Sequence, residues 1–194
     1  MKRIIIFFGL CCLVLAAKVA FAGDTGTYKI ADYKVKLTPK SDGKVEIEYY
    51  QKWEVTGGHI PWITVGLPND NFEIVKDKSK GAIKSIKVDS SGSWSGVRID
   101  LDKDYKPGQL FEVWFAVSQR RLFYADKDNY KLDFTPGWYD NAETGHLSIE
   151  VFFFAKLETI KADPKADKTE GQSLIWERTN LGKGRKFNIS VSFP

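Results

Sequence analysis

The chain predicts an all-β fold, an antiparallel β-sandwich built as two sandwich-like lobes in tandem. Three observations carry that expectation. From Tyr33 onward apolar residues recur at every second position in short runs, the period of a half-buried strand. Glycine, proline and Asp/Asn clusters punctuate those runs at short intervals. No apolar stripe at helical spacing is sustained after Ala22, so helix is confined to single turns, with 118–125 the best place for one.

The first hairpin is the clearest element. Tyr33, Val35 and Leu37 share one face, Ser41-Asp42-Gly43-Lys44 turns, and Val45, Ile47 and Tyr49 return with Glu46, Glu48 and Tyr50 opposite. Asp-Gly suits the corner because it tolerates positive φ. Thr56-Gly57-Gly58 breaks the run before Trp62, Ile63, Val65 and Leu67, and Pro68-Asn69-Asp70 breaks it again. Weaker strands follow over 72–76 and 82–89, then a loop over 89–93. Val97, Ile99 and Leu101 alternate with Arg98 and Asp100. Lys106-Pro107-Gly108-Gln109 turns into Phe111, Val113, Phe115 and Val117. Trp114 and Ala116 on the other face predict a central strand covered on both sides, with Trp114 in the core.

The second half repeats this grammar. Tyr130, Leu132 and Phe134 lead into Thr135-Pro136-Gly137, and Leu147, Ile149, Val151 and Phe153 follow. Residues 162–171 are polar and hold a proline, so an exposed excursion is expected before Leu174 and the core residue Trp176. Gly182-Lys183-Gly184 turns into Phe187, Ile189, Val191 and Phe193. The spacing from Gly108 to Val117 recurs from Gly184 to Phe193, and Ile63, Val65 and Leu67 are echoed by Ile149, Val151 and Phe153. This suggests lobes over 23–119 and 120–194, split near 120–128. The alternative is the ordinary likeness of any two hairpins.

The amino terminus has the form of an export signal. Lys2 and Arg3 precede the apolar stretch 4–17, and Ala20-Phe21-Ala22 offers a small-x-small cleavage site, so residues 1–22 read as a signal peptide. That stretch reaches about 21 Å as a helix, short of the ~30 Å bilayer core, and Lys18 interrupts it. An uncleaved anchor is the alternative. A lipoprotein is disfavoured because Phe8-Gly9-Leu10 lacks a small residue just ahead of Cys11. Removing Lys2, Arg3 and Lys18 from the 29 basic residues leaves 26 against 25 acidic, so the formal charge falls from +4 to +1. Nucleic acid binding loses its support, since phosphate recognition needs concentrated basic surface. Cys11 and Cys12 leave with the leader, so an exported domain of this kind is held by its core alone.

No catalytic or metal constellation stands out, and no cofactor is expected. Asp100, Asp102 and Asp104 alternate like the first ligands of a calcium loop, but Tyr105 stands where glycine belongs and Phe111 where glutamate belongs. A solvated strand end is the plainer account, and the same holds for Asp126, Asp128 and Asn129. Gly92-Ser93-Trp94-Ser95-Gly96 is out of register for a nucleophile elbow, because tryptophan takes the serine's place. His59 and His146 lie apart beside turn glycines, and Glu46 and Glu48 share a face without selecting themselves as an acid pair. Aromatics are the best lead. Trp94 lies in a Gly/Ser loop, and Trp138-Tyr139-Asp140-Asn141 follows a Pro-Gly turn. Flat rings beside acids and amides suit sugar or peptide binding, with Trp138 as a cap on the core the competing account.

Three stretches resemble a known family. They are Tyr33-Lys-Val-Lys-Leu with Asp42-Gly43-Lys-Val-Glu-Ile, Phe134-Thr-Pro-Gly-Trp138 before Leu147-x-Ile-x-Val, and Leu181-Gly-Lys-Gly184-Arg-Lys-Phe-Asn-Ile-Ser-Val. Their order resembles the extracytoplasmic β-rich region of predicted bacterial membrane proteins of unknown function. The resemblance implies a signal peptide, a β-rich ectodomain and following transmembrane helices. With no such helix before Pro194, it implies a secreted variant or a truncated ectodomain. The family's role is not established, so no functional residue carries over.

These readings converge on an exported, non-enzymatic module of the cell envelope that is structural or binds protein or glycan, located in the periplasm, at the surface or outside. The candidate ligand residues are Trp94, Trp138, Tyr139, Asp140 and Asn141. A secreted carbohydrate-binding or carbohydrate-active protein is the alternative. Membrane contact is expected only through an uncleaved leader or a missing anchor.

Overall fold

The computed structural model describes residues 26–92, 94–126, 129–154 and 157–193, so the expected signal peptide 1–22, with Cys11 and Cys12, lies outside the described residues. In chain order the first strands are β1 (Thr27–Pro39), β2 (Val45–Gly57), β3 (Ile60–Gly66), β4 (Phe72–Gly81), β5 (Ile83–Ser91), β6 (Trp94–Tyr105) and β7 (Leu110–Gln119). They are followed by β8 (Phe123–Asp126), β9 (Asn129–Phe134), β10 (Thr144–Phe152), β11 (Lys161–Asp163), β12 (Lys168–Glu170), β13 (Ser173–Leu181) and β14 (Ile189–Phe193). One turn of 3-10 helix covers Leu157–Thr159; residues 118–125, where a helical turn is expected, run mostly as strand.

The strands make three sheets that share one apolar core, an all-β sandwich-like fold. The largest has the order β12-β13-β10-β1-β2-β7-β4, the second β11-β14-β9-β8, and the third β3-β6-β5. The predicted first hairpin is present. Leu37 pairs with Ile47 and Val35 with Tyr49, and Gly43 takes a φ of 77° at the corner. Alternation on β2 and β7 then carries Ile47, Trp53, Phe111, Phe115 and Val117 to the inner face of the large sheet. Burial of each such side chain contributes roughly 1.5–3 kcal/mol. On β1 a register shift between Ile30 and Asp32 lets Ile30 and Tyr33, an odd number of residues apart, both point inward.

The topology departs from expectation in four places. β1 and β10 pair in parallel, Tyr33 opposite Leu147 and Leu37 opposite Val151, so the sandwich is not purely antiparallel. Alternation specifies which face a residue takes and is silent on strand direction; the long passage from β1 to β10 supplies the crossover that a parallel pair needs. This seam also joins the two expected lobes into one sheet. β1, β2, β4 and β7 precede residue 120, whereas β10, β12 and β13 follow it. The internal echo is not a structural repeat. Gly108–Val117 supplies β7, between β2 and β4 in the large sheet, while 184–193 supplies β14, between β11 and β9 in another. Finally, Trp114 is not a core residue. It lies half-buried on the outer face, 4.8 Å from the ring of Tyr50 and 5.4 Å from the Lys80 ammonium.

The polar excursion 162–171 is more ordered than its composition suggests. β11 pairs with β14 and β12 with β13, so this short segment passes from one sheet to another. Between them Pro164 presents its carbonyl to the indole N–H of the fully buried Trp176 at 2.7 Å. The excursion thus closes the core over Trp176.

A tryptophan-walled candidate site

Two close backbone approaches build the site. The turn after β9 brings Gly137 down on Gly66 at the end of β3; a Cβ on Gly137 would lie 2.8 Å from the Gly66 carbonyl oxygen. At the start of β6, Trp94 folds back over Gly96, where a Cβ would lie 2.7 Å from its ring. Glycine at both positions is what allows the 135–143 connection and the Trp94 indole to meet. The β13–β14 connection joins them, because Gly184 donates its N–H to the Tyr139 carbonyl at 2.9 Å.

The result is a cleft of about 950 Å³. Of the five candidates, Trp94, Trp138, Tyr139 and Asp140 line it, and Asn141 is exposed outside it. Trp94 is 37% and Trp138 43% exposed, which a core cap would not be. Trp94 is the first strand residue of β6, paired with Ser91, and not a loop residue as its Gly/Ser surroundings suggest. The Lys186 ammonium sits 3.7 Å from the centroid of Trp138 and holds that indole by a cation–π contact. Arg121 and Asn188 add polar groups, and Thr135 donates to the Asn188 side chain at 2.8 Å.

Tyr139 has a different role from its neighbours. Its ring meets Trp53 edge-on at 5.3 Å and Tyr28 at 6.2 Å, and its hydroxyl accepts from the Gln51 amide at 2.7 Å. Gln51 is fully buried and also accepts from the Trp53 indole N–H at 3.1 Å. Burial pushes the Tyr139 phenol well above its ordinary value. Tyr139 therefore lines the cleft as a floor tied into the core. Gln51 was overlooked in the sequence, although a lone amide within the inward run Val45–Val55 is a visible signal.

A smaller depression of about 370 Å³ adjoins the cleft across Trp94 and shares Tyr28 and Thr64 with it. Its wall includes Trp62, on which the Arg98 guanidinium stacks at 4.2 Å while its Nε donates to Asp100 at 2.9 Å. The Arg98 hydrogen bond holds the Asp100 carboxyl below the usual carboxylate range.

The remaining sequence candidates do not converge. Asp100 pairs with Arg98, Asp102 accepts from the Tyr105 hydroxyl at 2.9 Å, and Asp104 meets His59 at 2.8 Å. His146 meets Asp32 at 2.7 Å, so both histidines are paired with aspartates. Glu46 and Glu48 are both held by Lys78, at 2.5 and 3.5 Å. Ser93 and Asp128 lie outside the described residues. Among the described residues no group of three or more His, Cys, Asp or Glu is placed to hold a metal ion, and no helix is long and apolar enough to cross a membrane.

No family model and no curated protein matches the sequence. Solved structures do resemble the fold. An M1 zinc metallopeptidase from Deinococcus radiodurans superimposes with a TM-score of 0.54 at 10% identity, over 86% of this chain and 42% of that one. A two-domain M1 zinc metallopeptidase mutant bound to L-tryptophan gives 0.53 at 10% identity, over 89% of this chain and 44% of that one. The chain spans less than half the length of these structures, and a likeness at this identity is one of fold alone.

Proposed function

We propose that the chain is an exported, non-enzymatic module of the cell envelope whose Trp94–Trp138 cleft binds a glycan or protein partner. One observation carries this reading. Two indoles from distant parts of the sequence line one cleft, each still well exposed, beside glycine contacts that leave no room for a Cβ. Exposed aromatic surface beside orienting acids and amides is what recognition of a partly apolar, hydroxylated ligand requires. The leader supports an extracytoplasmic site of action, and the near-neutral mature charge disfavours nucleic acid.

The test is retention on insoluble envelope polysaccharide and capture from envelope extracts. Trp138→Ala should abolish retention with the melting temperature unchanged. A large fall in melting temperature would instead assign Trp138 to the core, and empty results from both assays with the unaltered chain would remove the binding role. A second reading, a carbohydrate-active protein, draws on Asp133, Asp140 and Asp163, which line the same cleft. It requires two carboxylates acting across a sugar ring. Release of reducing sugar that disappears in Asp140→Asn would favour it.

A further inference from the structure

Resting on that reading, we infer that the ligand is an uncharged glycan chain of several rings, and that Trp62 with Arg98 forms a second subsite for it across Trp94. The two depressions adjoin, because Trp94, Tyr28 and Thr64 line both. β3 provides the ruler. Trp62, Thr64 and Gly66 alternate with the inward-facing Ile63 and Val65, so all three lie on one face of the strand. At ~3.3 Å per residue, Trp62 stands about 13 Å from the Gly66 position where Gly137 and Trp138 dock. That distance exceeds a single pyranose ring, so a ligand touching both ends is an oligomer.

Charge selects the class of oligomer. Arg121 and Lys186 line the cleft together with Asp133, Asp140 and Asp163, and Arg98 lines the second depression together with Asp89. No positive surplus exists to hold a phosphate or uronate polymer, which would need one. An extended peptide would add to a free strand edge. β3 is itself such an edge, paired with β6 alone, and Gly137 covers it at Gly66; what the site adds beside that edge is the flat faces of Trp62, Trp94 and Trp138. Sugar rings need no strand edge; their C–H faces stack on indoles and their hydroxyls meet side chains. Arg98 is fixed as a plate on Trp62 by Asp100, so it adds a preorganised polar surface to the second subsite.

The experiment is tryptophan-fluorescence titration of the mature chain with disaccharides and hexasaccharides of glucose, xylose and N-acetylglucosamine. At least one hexasaccharide should bind about tenfold or more tighter than its disaccharide, an added subsite being worth that factor. Trp62→Ala should bring the hexasaccharide down to the disaccharide's affinity and leave the disaccharide unchanged, with Trp62→Phe restoring part of the gain. Arg98→Gln, which frees the plate while keeping the indole, should lose the same gain and serves if Trp62→Ala folds poorly. Equal affinity at both lengths, abolished by Trp138→Ala, would overturn the second subsite and leave the cleft reading standing. Tighter binding of polygalacturonate or of extended peptides would overturn the uncharged glycan. Failure of every sugar to bind would overturn both.

Discussion

Trp176 and Trp138 each have one polar partner, yet one belongs to the core and the other to the cleft. Trp176 is fully buried at the end of the large sheet, its N–H satisfied by the Pro164 carbonyl of a segment that folds over it. Trp138 is 43% exposed, and its ring is held by the flexible ammonium of Lys186. The first arrangement gains from removal of apolar area from water. The second keeps that area in water and restrains it, which stabilises little and leaves a surface available to a ligand. Fixation without burial is what separates the cleft from the core.

Alkaline titration should give the largest effect, because it acts on core and cleft phenols together. Burial raises the phenols of Tyr49 and Tyr139 well above 10.0, and burial followed by nearby carboxylates pushes Tyr50 and Tyr105 up to about 12. In the unfolded chain these groups lose their protons near 10, whereas the fold retains them. The unfolded state then binds fewer protons, so stability is fully present below pH 10 and falls as pH rises through the folded values. Melting temperature should hold to about pH 10 and then decline in step with tyrosinate absorbance. A flat profile to pH 12 would show that the fold does not hold these phenols protonated.

Trp176→Ala comes next and should cost about 3–5 kcal/mol in denaturant unfolding, the loss of a large buried ring plus its cavity. Gln51→Ala tests the joint between the two regions. It strips the Trp53 N–H and the Tyr139 hydroxyl of their shared partner, with a cost of about 1–3 kcal/mol. Because Tyr139 carries the cleft loop, this variant should also weaken ligand retention. Unchanged retention despite lower stability would show that the cleft stands without its floor. Trp138→Ala should change stability by less than about 0.5 kcal/mol, the size of an ordinary surface substitution.

Much of the cleft was legible from local chemistry. Trp138 follows the Pro136-Gly137 turn and Trp94 opens β6 right after the Gly92 corner, and residues beside turns are the ones that reach solvent at the ends of strands. Lys186, Trp62 and Arg98 were not legible. Each matters through a partner set by strand registry, as Arg98 on β6 stands opposite Thr64 on β3, two positions from Trp62. The Asp100-Asp102-Asp104 alternation was visible and misleading as a cluster. Its carboxylates went to Arg98, Tyr105 and His59 in turn.

By itself the sequence determined the class of fold and, along the long strands, the face their residues present, because period-two alternation is local and burial enforces it; the short strands β8, β11 and β12 were not among them. The tertiary structure alone decided which strands became neighbours and in which direction. β7 and β14 carry one pattern and occupy different sheets, and β10 lies parallel to β1 across a boundary that alternation suggested. The physical reason is that alternation encodes only inside and outside. Partner and direction depend on how the whole chain closes one core, and the meeting of Gly66 with Gly137 that makes the cleft is a product of that closure.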